Sequence, residues 1–96
     1  MRRTKEVKLG DAIRAILRLD GIETPLNEYR AIEAWHEING KGISRYTTGV
    51  NIRGGIMYVQ ISSPALRQEL MMRRSLLVQQ INQHVGAQVL QQIVIR

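Results

Sequence analysis

Cysteine is absent from the chain, which removes both a disulfide framework and any thiolate metal site. No run is apolar enough to span a bilayer, and the basic opening Met-Arg-Arg-Thr-Lys-Glu-Val-Lys is not followed by the apolar core of a signal peptide. A cytoplasmic protein is the expectation. Catalytic groupings are missing too: there is no Gly-x-Ser-x-Gly elbow and no phosphate-cradling Gly-x-x-x-x-Gly-Lys loop. His36 and His84 are not followed, at i+3 or i+4, by the second ligand that a zinc helix requires. Ser62 and Ser63 are explained by helix capping. These gaps leave an enzyme, a bound metal and a cofactor without residues to support them. Internal repeats and low-complexity linkers are absent as well. The 96 residues, 44% of them apolar, are expected to form one domain, 1–96, with a small core and a basic arm at 1–8.

Acidic residues run out after the first forty positions. Up to Gly40, seven Lys and Arg balance seven Asp and Glu. From Lys41 on, the seven cations Lys41, Arg45, Arg53, Arg67, Arg73, Arg74 and Arg96 face one acid, Glu69, so the whole net charge of +6 lies in the second part of the chain. Such a surface attracts polyanions over the range of the screening length.

That cationic part is built around the stretch from Val50 to Arg74. Val50 and Ile52 alternate with Asn51 and Arg53, and Met57, Val59 and Ile61 alternate with Tyr58 and Gln60. A period of two marks half-buried strands, and Gly54-Gly55 between them signals a tight hairpin. The register predicts Met57, Val59 and Ile61 in the core with Leu66, Leu70 and Trp35, and Tyr58 and Gln60 turned away. Ser63 is placed to cap a helix whose first position, Pro64, needs no N–H.

Earlier in the chain, Leu9, Ile13, Ile16 and Leu17 recur at helical spacing and Gly21 supplies a stop. Thr24-Pro25 repeats the cap-and-proline signal, opening a second helix with Leu26, Tyr29, Ile32, Trp35 and Ile38 three residues apart, a stripe that drifts around the helix and is expected to touch more than one neighbour. Glu28, Glu33 and Glu37 are expected on its outer face, and Trp35 is expected to anchor the core. Asn39-Gly40 ends this helix. Lys41 to Thr47 then reads as a connector with a single helical turn, held by Ile43. After Pro64 an uninterrupted helix would set Arg73 and Arg74 beside the apolar stripe of Leu66, Leu70, Leu77 and Ile81. A break is therefore expected at Arg73–Ser75, with Ser75 as the new cap. Gly86 closes the second piece, and the β-branched end of Gln91–Arg96 forms a third strand beside the hairpin. The fold class is α+β: two layers, a three-stranded sheet with helices on one face, in α-α-β-β-α-α-β order.

In this order the residues resemble the DciA-like family. The shared features are Leu9-Gly10-Asp11 with its amphipathic helix, Trp35 before Asn39-Gly40, Ile43, Tyr46-Thr47 and Gly55. They continue through Met57-x-Val59-x-Ile61, Ser63, Gln68-Glu69-Leu70, Leu77, Ile81-Asn82, Gly86 and Ile93-x-Ile95-Arg96. The resemblance implies a bacterial DNA-replication accessory protein that associates with the replicative DNA helicase, assists its loading or operation, and has a KH-like domain. A KH domain clamps nucleotides with a Gly-x-x-Gly loop between two helices. The corresponding place here, Met72-Arg73-Arg74-Ser75, has no glycine.

Arg73 and Arg74 offer a substitute, since guanidinium groups pair well with phosphate without reading bases. Arg67, Arg45, Lys41 and Arg53 complete the expected nucleic-acid-binding set. The expected partners are single- or double-stranded DNA and the replicative helicase, with no membrane and no metal. An RNA-binding KH-like module without a helicase role, and an adaptor that binds only protein, are the alternatives.

Overall fold

The computed structural model describes residues 23–96. The expected basic arm and the helix expected from Leu9 lie outside these residues. Elements follow in the order α1 (Glu23–Ser44), β1 (Thr47–Arg53), β2 (Ile56–Ile61), α2 (Pro64–Met72), α3 (Arg74–Val85) and β3 (Gln92–Ile95). The three strands form one mixed sheet in the order β1-β2-β3. β1 pairs antiparallel with β2, and β3 runs parallel to β2 on its other side. The fold is α+β, as the residue pattern predicts.

The hairpin turns at Gly54 and Gly55, whose φ values of 58° and 79° are the left-handed pair that a two-residue turn of matching twist demands. Register follows the alternation: Val50 opposes Val59, Ile52 opposes Met57, and Met57 and Val59 lie beside Ile93 and Ile95. Those positions face the helices. Met57, Val59, Ile61, Ile93 and Ile95 are buried with Trp35, Leu70, Leu77 and Ile81. Tyr58 is half-buried and Gln60 exposed on the opposite face, as expected.

β1 begins at Thr47, earlier than the alternation from Val50 suggests, because the ladder contains an irregularity. Thr47 opposes Ile61 while Gly49 opposes Gln60, so one extra residue resets the phase. Thr47 therefore faces the core side together with Val50. There its hydroxyl accepts the indole N–H of the fully buried Trp35 at 3.2 Å and donates to the Ile43 carbonyl at 3.0 Å. A buried indole needs such a partner.

The expected drift of the stripe along α1 takes its first part away from the core. Trp35 is buried and Ile32 and Ile38 pack against the core, but Leu26 and Tyr29 are exposed, and Ala31 and Ala34 take the innermost positions. At 3.6 residues per turn, a nine-residue step from Leu26 to Trp35 rotates by about 180°, so a three-residue repeat cannot keep one face. Thr24 sits inside the first turn instead of capping it, since the helix begins at Glu23. Gly40, at φ 79° and ψ 179°, breaks the helix at the expected Asn39-Gly40 end. One further turn, from Lys41 to Ser44, follows the break. The His36 ring and the Ser44 hydroxyl bridge it with a 2.8 Å hydrogen bond.

Ser63 caps α2 by accepting the Leu66 N–H at 3.3 Å, with Pro64 in the first turn. The second break falls at Arg73, with φ −107° and ψ 12°. Arg73 occupies the cap position of α3 without a side-chain hydrogen bond, and Ser75 lies within the helix, so the expected serine cap does not form. Asn82 then fixes the return to β3. Its carbonyl oxygen accepts the backbone N–H groups of Val89 and Leu90 at 3.0 and 2.9 Å, and its amide donates to the Leu90 carbonyl at 2.9 Å.

Two substitutions test this packing. Leu70→Ala, at a fully buried position, is expected to cost ~2–5 kcal/mol. Asn82→Ala, which strips three backbone groups of their partner, is expected to cost ~1–3 kcal/mol. Urea unfolding of each variant measures both, and curves that overlay the parent would refute the assignments.

Candidate nucleic-acid interface

The expected binding residues fall on different parts of the molecule. Arg73 and Arg74 are exposed at the α2–α3 junction. Arg74 also lines, with Ser75, Val78, Gln79 and the start of β3, an open groove of about 380 Å³ between α3 and the β3 side of the sheet. Lys41 and Arg45 are exposed on and just after the short turn that follows Gly40. That turn leads into the Thr47–Ile61 end of the β1–β2 ladder. Arg53 is exposed at the other end of β1, beside the hairpin turn. Seven residues of extended chain put these two ends about 20 Å apart.

Arg67 has a different environment. It is half-buried, and its Nη2 donates to the Ile61 carbonyl at 3.0 Å, tying α2 to the end of β2. Its Nε is buried without a hydrogen-bond partner. A guanidinium held in this way stabilises a strand end and has less freedom to meet a phosphate. The structure thus separates Arg67 from the exposed cations.

The arginine arrangement missed by sequence reasoning is on the open face of the sheet. Pairing places Gly49, Asn51 and Arg53 of β1, Ile56, Tyr58 and Gln60 of β2, and Gln92 and Val94 of β3 on this side. None of these residues is buried. The Arg96 backbone bonds to the Val59 carbonyl and the Ile61 N–H, which continues the parallel ladder by one residue. Its guanidinium carbon lies 4.9 Å from the centroid of the Tyr58 ring, and that of Arg53 lies 5.4 Å from it. Both distances are in the cation–π range. The outward position of Tyr58 is legible from the alternation of β2. Its meeting with Arg53 and Arg96 depends on the register of two other strands.

Charge divides by layer. Among the described residues the acidic side chains are those of Glu28, Glu33 and Glu37 on α1 and Glu69 on α2, so the sheet carries no acidic side chain. Glu37 meets His84 of α3 at 2.8 Å. The acidic side of α1 therefore lies partly against a neighbouring helix. Among the described residues no group of three or more His, Cys, Asp or Glu is arranged to hold a metal ion. No helix among them is long and apolar enough to cross a membrane.

The family model described as Dna[CI] antecedent, DciA, matches residues 8–95. No curated protein and no solved structure matches the chain.

The position of Arg67 yields a prediction. Arg67→Ala is expected to lower stability by ~1.5–3 kcal/mol through the lost charge-assisted bond, while leaving the nucleic-acid affinity of the folded fraction unchanged. Thermal melts read beside a titration with oligonucleotide check both halves; unchanged stability with weakened binding would return Arg67 to the interface.

Proposed function

The chain belongs to the DciA family, and on that premise we propose that it is a DNA-replication accessory protein. In this reading it binds nucleic acid through its cationic second part, associates with the replicative DNA helicase and assists the loading or operation of that helicase. The observation that carries the reading is the family match over residues 8–95. Two features support it. All of the net charge of +6 lies beyond Gly40, and the described elements follow the α-β-β-α-α-β order of a KH-like module.

Binding at the helix junction is electrostatic in this reading. Arg73 and Arg74 stand where a KH domain carries its Gly-x-x-Gly loop, at a break between two helices. Without those glycines the backbone cannot approach phosphates as closely, so the contact is made by side chains. Arginine contacts to phosphate position a strand without reading its bases. Lys41, Arg45 and Arg53 extend the positive field along other parts of the surface. The role is that of a binding protein, and no residue is assigned to catalysis.

The association with helicase is tested by pull-down of the replicative helicase on the immobilised chain, with and without single-stranded DNA. Retention of the helicase is expected in both cases. Binding of RNA in preference to DNA with no helicase retained would support the RNA-binding alternative instead. The electrostatic part is tested by titration at several salt concentrations. Neutralising about four phosphates on a single strand gives a slope of about −3 in log affinity against log salt. The double substitution Arg73→Ala with Arg74→Ala is expected to preserve the fold, weaken binding to all sequences alike and reduce the slope by about 1.4. A double variant that binds as tightly as the parent would remove both residues from the site.

A further inference from the structure

We propose that the open face of the sheet, centred on Tyr58 between Arg53 and Arg96, is a stacking platform for single-stranded nucleic acid. The inference rests on the reading of this chain as a nucleic-acid-binding protein, but it names a different surface from the arginine junction and a specific form of the ligand.

Three planar groups stand in a row across the three strands. The Tyr58 ring is in the middle, with the guanidinium of Arg53 on the β1 side at 5.4 Å and that of Arg96 on the β3 side at 4.9 Å. Diagonal neighbours in a sheet are within reach of each other when the side chains are long, so these contacts follow from the register and need no special loop. Unpaired bases stack on aromatic rings and on guanidinium planes alike. A base joining this row stacks on the outer plane of a guanidinium or takes its place over the Tyr58 ring, and the phosphates on either side meet the same two cations.

The ground around the row suits that ligand. Beside Tyr58 and Arg96 a shallow depression of about 250 Å³ is lined by Gly49, Asn51 and Gln60. A Cβ at Gly49 would come within 3.1 Å of the Gln60 side-chain oxygen, so the absence of a side chain there leaves room beside Gln60. Asn51 and Gln60 are exposed, and their amides can donate to or accept from base edges. Among the described residues the acidic side chains are on α1 and α2, so no described acidic side chain of the sheet repels a phosphate here. The other two tyrosines have different settings. Tyr29 is on α1 with Glu28 and Glu33, and Tyr46 lies in the bend before β1.

Stacking requires unpaired bases, which fixes the discriminating experiment. The chain is titrated with a thymidine homopolymer, a uridine homopolymer of equal length, and a duplex, for the parent and for Tyr58→Phe and Tyr58→Leu. Tyr58→Leu is expected to weaken single-strand affinity by about 5- to 150-fold, while duplex affinity stays at the parent value. Tyr58→Phe, which keeps the ring, is expected to retain it. The two homopolymers report whether DNA or RNA is preferred, and tighter binding of either over duplex agrees with the proposal. Photocrosslinking of an oligonucleotide carrying 5-iodouracil is expected to modify Tyr58 in preference to Tyr29 and Tyr46.

Arg53→Gln with Arg96→Gln, at two exposed positions, guards against a Tyr58→Leu chain that does not fold. This double variant is expected to reduce the single-strand salt slope by about 1.4. If the parent binds single strands and both variants bind them equally well, the platform is refuted and the proposed function stands. The platform is refuted in the same way if Tyr58→Leu loses only thermal stability, or loses binding to an acidic polypeptide such as polyglutamate instead of to the homopolymers. A parent that binds no nucleic acid overturns both readings.

Discussion

The pairing of β2 with a strand on each side holds Met57, Val59 and Ile61 against the helices and, by the same period of two, turns Tyr58 and Gln60 outward. Both the core and the open face depend on this one register. A slip by a single residue would bring a phenol and an amide into the apolar layer and push three aliphatic side chains into water. Burial of Met57 and Val59 alone is worth about 1.5–3 kcal/mol each, so the register is strongly specified. The strand that carries most of the core is thus also the strand that fixes where the outward ring stands. Position on the face is inherited from stability.

Helix breaks in this fold come from two different causes. At Gly40 a backbone conformation open to glycine, with φ 79°, lets α1 turn aside so that Thr47 can reach the indole of Trp35. At Arg73 the cause is solvation, because an unbroken helix would hold two guanidinium groups against an apolar stripe. The break leaves Leu70 and Leu77 buried on either side and both arginines in water. No side chain caps the start of α3. The Arg73 N–H closes α2 on the Leu70 carbonyl, and the Arg73 carbonyl accepts the Leu77 N–H as the first bond of α3, so the new helix begins at the arginine itself.

Much of this was legible in the residues. Alternation placed the hairpin and its inner face, Ser63-Pro64 marked the start of α2, and the clash of Arg73 and Arg74 with an apolar stripe marked its end. What escaped were features decided by phase and by distant partners. The three-residue spacing shows that the stripe of Leu26 and Tyr29 drifts away from Trp35, but not that these two end in solvent instead of against a second neighbour. Thr47 read as a connector because the irregularity before Gly49 hides its alternation. Ser75 has the chemistry of a cap, but the turn it was to open begins before it. Asn82 gives no local sign that its amide will hold Val89 and Leu90. The grouping of Arg53, Tyr58 and Arg96 needs the relative register of three strands, one of them joined to the others through two helices.

Net charge, taken as a single number, conceals how differently the cations are placed. Arg67 donates to a backbone carbonyl and is half-buried, so its charge is engaged largely within the fold. Arg73 and Arg74 are exposed where two helices part, and Lys41 and Arg45 stand at the opposite end of β1 from Arg53. Arg53 and Arg96 are held against a ring, which restricts their rotamers before any ligand arrives. A preordered guanidinium loses less entropy on meeting a phosphate than a free one does. Equal charges on one chain therefore need not be equal contributors to binding. On that argument the pair flanking Tyr58 gains from its order, and the pair at the helix junction from its openness.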